Sequence, residues 1–267
     1  MIDRSLAFLD SGIGGLPYLD WITRRRPDLP VSYIADTAHF PYGELSNTDI
    51  IKAVVQAAVR IFSCGTPRIL TVACNTASVA ALDEIREFAP CPVVGTVPAV
   101  KSAASIDNGG AIGVLATAGT VESAYLNRLV SAFAPGRRIV KVAAGDIVRY
   151  VEERWLDEGD MGAIPVMERA LGLMKAEKVG SVVIGCTHFL HVIEPIQRLL
   201  GPDVKLVDSR DGVGRRILSL LGEPETKDTV DDDSSFGDFW VTLDGISNKR
   251  YRRFSDAHRL DWAGLLP

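Results

Sequence analysis

Short apolar segments alternate with amphipathic segments along this chain of 267 residues. The apolar segments are rich in β-branched residues, a pattern typical of buried parallel strands. Predicted strands cover residues 5–9, 31–35, 69–73 and 92–95, then 111–116, 139–142, 181–185 and 205–207. Predicted helices between them cover residues 16–25, 48–62 and 78–88, then 121–133, 146–153, 162–176 and 190–200. This alternation predicts an α/β fold with right-handed crossovers on parallel sheets.

The alternation runs twice, which predicts two similar lobes, each with a mainly parallel sheet flanked by helices. The change of lobe is expected near Pro98. We assign residues 1–97 and 208–267 to the first lobe and 98–207 to the second. An acidic, polar run at 223–235 is predicted to be an exposed linker. A short strand at 239–242 and a helix at 248–258 are expected to return to the first lobe. Because ligands of open α/β folds bind at the carboxyl ends of strands, we expect the active site in the cleft between the lobes.

The overall composition excludes several classes of function. Apolar residues make up 47% and charged residues 24% of the chain, which is ordinary for a globular protein. The net charge of -5 provides no basic surface for nucleic acid. No apolar stretch reaches the ~18 residues of a membrane span, and the N-terminus resembles no signal peptide. We therefore expect no nucleic-acid or membrane partner and a cytoplasmic protein, in which thiols stay reduced.

Two cysteines occur in nearly identical settings. Cys74 lies in Val-Ala-Cys-Asn-Thr-Ala and Cys186 in Val-Ile-Gly-Cys-Thr-His. Each follows a predicted strand and precedes a predicted helix, where the helix dipole favours a thiolate and free backbone N–H groups favour an anion. Two such thiols, one in each half, predict a pair of bases that flank one carbon atom. Cys64 and Cys91 have no Cys-x-x-Cys spacing, and we interpret both as structural.

Each of the two thiols has a candidate proton-handling partner. His188 lies two residues after Cys186 and can hold or donate a proton there. Asp10 lies at the carboxyl end of the first predicted strand. It can cap the following helix, or it can tune an ammonium group or a thiol, which would be Cys74 if the two strands are neighbours. Two cysteines and one histidine also fit a catalytic zinc set, so metal binding stays an alternative.

Polar residues at the other predicted strand ends complete the candidate site. The turn that begins Asp10-Ser11-Gly12 lacks the spacing of a dinucleotide-binding or Walker loop. The segment around Tyr42 and Gly43 is either a surface loop or a loop over the site. The residues that directly follow the two cysteines have side chains and N–H groups suited to a carboxylate: Asn75, Thr76, Thr187 and His188.

Taken together, these segments resemble the glutamate racemases of the cofactor-independent aspartate/glutamate racemase superfamily. The similarity extends over nearly the whole chain, with the motifs in the family's order and spacing. The matching segments lie at residues 8–15, 35–37, 41–43, 73–78, 113–120, 185–189 and 239–253.

The resemblance implies a racemase that interconverts L- and D-glutamate without pyridoxal phosphate or metal. It also implies that the enzyme supplies D-glutamate for peptidoglycan synthesis, which maintains the cell wall and cell shape. It implies that Cys74 serves D-glutamate and Cys186 serves L-glutamate, supported by Asp10 and His188. A homodimer is left open. The implied substrate-binding residues are Asp10, Ser11, Tyr42, Gly43, Asn75, Thr76, Thr187 and His188, with Glu152 and Thr120 as further candidates.

The chain departs from the family pattern at three places. After Gly-Cys-Thr-His-Phe the family usually continues with proline and leucines, whereas this chain has Leu190-His191-Val192. A Cys-Pro pair frequent in the family is absent near residues 143–146, and the tail at 260–267 is longer and less regular. Two rival functions remain: a related enzyme such as an aspartate racemase or a decarboxylase, and a binding or regulatory protein without activity. The presence of both cysteines favours the racemase.

Overall fold

A computed structural model describes residues 2–106, 110–222, 235–245 and 248–267. The chain divides into two compact units, Met1–Thr96 with Arg210–Pro267, and Val97–Ser209. The predicted linker at 223–235 lies outside the described residues except for Ser235. Among the helices in the described ranges, none is both long and apolar enough to cross a membrane.

Strands and helices alternate along both units. The strands are β1 (Leu6–Asp10), β2 (Val31–Ala35), β3 (Ile69–Val72), β4 (Val93–Gly95), β5 (Ala111–Ala116), β6 (Ile139–Ala143), β7 (Val179–Ile184), β8 (Lys205–Val207), β9 (Gly237–Val241) and β10 (Leu260–Leu265). The helices are α1 (Leu16–Thr23), α2 (Asn47–Cys64), α3 (Asn75–Phe88), α4 (Val100–Ala104), α5 (Ala118–Glu122), α6 (Ala124–Phe133), α7 (Gly145–Glu153), α8 (Trp155–Ala176), α9 (Ile193–Leu200), α10 (Arg210–Leu221) and α11 (Asn248–Ala257). The described ranges also contain two 3-10 segments, Tyr42–Glu44 and Thr187–Val192.

The first unit is built on a six-stranded sheet in the order β10-β9-β2-β1-β3-β4. All of its strand pairs are parallel. Every residue of β1, β2 and β3 is buried, because helices cover both faces of the central strands. α2 and α3 pack together over one face, where Ile50, Val54 and Ala58 meet Leu70 and other core residues.

The second unit contains a four-stranded parallel sheet in the order β6-β5-β7-β8. β5 and β7 are central, and β5 is buried along its whole length. Its core includes Ile112, Val114 and Leu126, and α4 and α6 pack together beside it. The two parallel sheets flanked by helices confirm the predicted fold class.

Two local predictions were wrong, and one strand was not predicted. The tail at 260–267 forms an edge strand, β10, which pairs with β9 in an irregular register. The single helix predicted at 121–133 is two helices that meet at Ser123, whose hydroxyl caps the second by accepting from the Leu126 N–H at 3.1 Å. The helix predicted at 190–200 begins as a 3-10 segment that starts at Thr187.

Candidate functional site

The first unit gathers its predicted site residues at the carboxyl edge of its sheet. β1 lies between β2 and β3. The pairing extends beyond the strand ends, since the Asp36 N–H donates to the Asp10 carbonyl at 2.8 Å and the Ala73 N–H to the Leu9 carbonyl at 2.7 Å. Asp10 and Cys74 therefore end neighbouring strands, which is the condition under which Asp10 was predicted to serve Cys74.

The tight turn after β1 is held by Tyr33 and requires glycine at position 15. Tyr33 donates to the Gly12 carbonyl at 2.9 Å and accepts from the Gly15 N–H at 3.0 Å. A Cβ on Gly15 would lie 2.6 Å from that of Ala73, so this turn requires glycine to approach the end of β3. The buried carboxylate of Asp10 accepts from the Gly12 N–H at 2.7 Å. Asp10 thus stabilises the turn. It does not cap α1, whose N-cap residue is Gly15 and which has no side-chain cap.

Cys74 occupies the N-cap position of α3 and is 6% exposed. Asn75 and Thr76 follow as the first residues of that helix and are also buried. Neither the oxygen nor the nitrogen of the Asn75 side-chain amide has a hydrogen-bond partner among the described residues. Because a buried amide without partners is costly, this side chain is suited to a polar ligand beside Cys74.

Tyr42 is held by a network that the sequence did not reveal. Its ring is buried, so the surface-loop alternative for this residue is wrong. Its hydroxyl donates to buried Asp36 at 2.6 Å, and Asp36 also accepts from Thr242 at 2.5 Å. Burial, then the charge of Asp36 and that hydrogen bond, and then the charges of Cys74 and Asp10, raise the pKa of Tyr42 well above its ordinary 10.0. Tyr42 therefore stays protonated near the candidate thiol.

Two further predicted site residues lie in the same unit. Ser11 is buried, and Gly43 is half-buried beside Tyr42.

The second unit has a matching carboxyl edge. The Gly185 N–H donates to the Leu115 carbonyl at 2.8 Å, which keeps the end of β7 against β5 just before Cys186. Beyond β5, Thr117 caps α5 by accepting from the Thr120 N–H, and its hydroxyl donates to that of Thr120 at 3.2 Å. Both threonine side chains are buried. Thr120 thus lies at the same edge as Cys186.

His188 and Glu152 form a buried pair in this unit. The Nε2 atom of His188 lies 2.9 Å from Oε2 of Glu152, and their side chains are 3% and 0% exposed. Glu152 is on α7, and α7 packs against the 3-10 segment that carries His188. Both residues were predicted from the sequence to lie in the site, but their contact was not. Because an ionised carboxylate favours the imidazolium, Glu152 can support proton storage on His188.

The two cysteines share a local geometry. Cys186 precedes the 3-10 segment with φ −138° and ψ 134°, and Cys74 precedes α3 with φ −129° and ψ 124°. Each thiol residue is 6% exposed. The helix predicted directly after Cys186 is the 3-10 segment instead, so the helix-dipole argument applies fully only to Cys74.

A surface cavity of about 350 Å³ lies elsewhere in the second unit. Lys141, Asp146 and Arg169 are its charged lining residues. None of the predicted site residues lines it. Within the part of the chain that the structure describes, no group of three or more His, Cys, Asp or Glu side chains could hold a metal ion.

Comparison with known proteins identifies related sequences and structures. A sequence profile of the Asp/Glu/Hydantoin racemase family matches residues 20–211. A glutamate racemase of Shewanella denitrificans is 37% identical over 216 residues, which cover 79% of this chain and 76% of that protein. The structure of Escherichia coli glutamate racemase in complex with L-glutamate and the activator UDP-MurNAc-Ala superposes with a TM-score of 0.85 at 30% identity, covering 98% of each chain. The Francisella tularensis glutamate racemase in complex with D-glutamate gives 0.78 at 26% identity, covering 100% of this chain and 98% of that one.

Proposed function

The chain belongs to the Asp/Glu/Hydantoin racemase family, and from this premise we propose that it is a glutamate racemase whose two bases are Cys74 and Cys186. The observation that carries the proposal is the matched placement of the two thiols. Each lies two residues beyond the end of an apolar strand, in the same backbone conformation and with the same 6% exposure. Inversion at one carbon needs a base on each face, and the two cysteines supply that pair.

The reaction is a proton transfer that conserves all other bonds. Starting from L-glutamate, the thiolate of Cys186 takes the α-proton and becomes a thiol. The thiol of Cys74 gives its proton to the opposite face of the same carbon, which yields D-glutamate and a Cys74 thiolate. The reverse reaction uses the same two steps in the other order, so each cysteine alternates between acid and base.

The neighbouring groups lower the barrier by stabilising charge. The carbanion at the α-carbon is delocalised into the substrate carboxylate, where preorganised N–H groups and hydroxyls stabilise it. Asp10 beside Cys74 and the His188–Glu152 pair beside Cys186 tune the two thiols. Substrate is held by hydrogen bonds, with the amide of Asn75 as the donor and acceptor most open to it. The other substrate-holding residues are Ser11, Tyr42, Gly43, Thr76, Thr187 and, at the edge of β5, Thr120.

We also propose a role for this reaction in the cell. Glutamate is its small-molecule partner, and no pyridoxal phosphate or metal takes part. D-glutamate from this reaction would enter peptidoglycan synthesis in the cytoplasm and so support the cell wall and cell shape. The preference for glutamate over aspartate is supported by the 37% identical relative, which is a glutamate racemase.

The direct test is an assay on purified protein dialysed against a chelator, with no added cofactor. Incubation with L-glutamate is expected to give equal amounts of both enantiomers, because enantiomers have the same free energy. Chiral chromatography measures the ratio, and L-aspartate at the same concentration is the matched substrate. Conversion that needs added zinc or pyridoxal phosphate, or conversion of aspartate in preference to glutamate, would contradict the proposal.

A further inference from the structure

The 3-10 segment Thr187–Val192 carries a second histidine that the proposed reaction does not use. His191 lies three positions after His188 in this segment. Residues three apart in a 3-10 helix project on the same side. His188 and His191 therefore both project from this segment toward neighbouring residues on one side.

The aromatic partner of His191 is Trp155. The ring centroids of the two residues are 5.4 Å apart, at an interplanar angle of 59°. Trp155 lies three residues after Glu152, just as His191 lies three after His188. Glu152–His188 and Trp155–His191 are thus two successive contacts between the same two stretches of chain.

Trp155 is itself fixed by its surroundings. Its indole Nε1–H donates to Asp160 at 3.1 Å. Gly159, just before Asp160, has φ 61° and ψ −164°, and this break in α8 brings the chain round to the indole. The hydroxyl of Tyr150 donates to the Gly159 carbonyl at 2.5 Å and so ties the break to α7. The indole therefore presents a fixed surface to His191.

We propose that Trp155 and His191 are positioning residues, whose ring contact sets the 3-10 segment against α7 and keeps His188 aligned with Glu152 and Cys186. The proposal rests on the proposed two-thiol function. Neither ring touches the reacting atoms. A displacement of about 1 Å in a catalytic group can lower a rate by about 10²-fold, so a contact that fixes this segment matters for turnover.

The test compares purified variants with an active wild-type enzyme. Trp155→Ala is expected to lower kcat by about 10- to 100-fold. Trp155→Phe keeps an aromatic ring against His191 and is expected to stay within about 3-fold of wild type. Met161→Ala, at a 71% exposed position on the same helix, is the matched control and is expected to leave kcat unchanged.

Isotope effects separate positioning from general destabilisation. Because the two enantiomers have the same free energy, kcat/KM must be equal for L-glutamate and D-glutamate. The deuterium isotope effects on these two values can nevertheless differ. In Trp155→Ala we expect abstraction of the α-proton of L-glutamate by Cys186 to become slower than the proton transfer at Cys74. The isotope effect on kcat/KM should therefore rise for L-glutamate deuterated at Cα and fall for the D-enantiomer. Loss of folded protein alone would lower kcat and leave both isotope effects unchanged, and that outcome would overturn the proposal.

A second variant keeps the proposal testable if Trp155→Ala does not fold. His191→Leu removes the ring contact with Trp155, and circular dichroism checks its fold. It is expected to shift the two isotope effects in the same directions, and His191→Phe is expected to restore them. Wild-type rates and isotope effects in His191→Leu would contradict the proposal. A wild-type protein that does not racemise glutamate would instead refute the proposed function.

Discussion

Cys74→Ser and Cys186→Ser are each expected to lower kcat for glutamate racemisation by about 10³-fold or more. Serine preserves the shape of the side chain, but the pKa of its hydroxyl lies far above the ~8.5 of a free thiol, so no base forms at neutral pH. Since both transfers are needed for each inversion, the double variant should be little worse than either single one. The rate of D-glutamate formation from L-glutamate measures all three.

The other two cysteines provide the matched controls. Cys64 and Cys91 are half-buried and lie away from the strand ends that carry the candidate bases. Burial raises the pKa of Cys91, so this thiol is neutral at physiological pH. Cys64→Ser and Cys91→Ser should keep kcat within about twofold of wild type, as substitutions outside a catalytic unit do. Full activity in Cys74→Ser or Cys186→Ser would contradict the two-base assignment.

Glu152→Gln is expected to lower kcat by about 10²-fold, a loss typical of impaired acid–base catalysis. Glutamine fills the same volume and can still accept a hydrogen bond from His188, so the substitution removes mainly the buried negative charge. Without that charge the imidazolium form of His188 is disfavoured, and the group beside Cys186 loses its capacity to store a proton. The steady-state rate of D-glutamate formation from L-glutamate measures the loss.

Glu153, the next residue on α7, is the control for loss of a negative charge at a position that does not contact His188. Glu153 is exposed and lies 3.8 Å from Arg149, a contact of the kind that contributes little to stability. Glu153→Gln should leave the rate at the wild-type value. If Glu152→Gln behaves in the same way as this control, His188 does not depend on Glu152 and that part of the account is wrong.

The elements with continuous apolar runs were those most accurately predicted from the sequence. The strands at 31–35, 111–116 and 205–207 have the bounds that were expected. The first two are buried on both faces, so the apolar pattern ends where the strand ends. β10 was missed because it is an edge strand of mixed exposure, with a register shift between Trp262 and Gly264. Its pattern is therefore not that of a buried strand.

The part of the candidate site that could be predicted from the sequence is the two cysteines and the residues adjacent to them. Both cysteines directly follow apolar strands, and their polar neighbours are adjacent in sequence. The contacts that support them join distant positions: His188 and Glu152 are 36 residues apart, and Asp36 and Thr242 are 206 apart. No periodicity in one sequence relates such positions, because only the tertiary fold brings them together.

The most direct test of the central claim follows the α-hydrogen during conversion of L-glutamate in heavy water. If Cys186 removes that hydrogen and Cys74 supplies another from the opposite face, D-glutamate formed at early times must carry deuterium at Cα. The L-glutamate recovered at the same time should still carry protium. The face of the α-carbon served by Cys186 receives a solvent-derived hydrogen only when D-glutamate reacts in the reverse direction. NMR or mass spectrometry of the separated enantiomers measures both. Protium retained in the early D-glutamate would show that one base returns the original hydrogen, and it would contradict the pairing of Cys74 with Cys186.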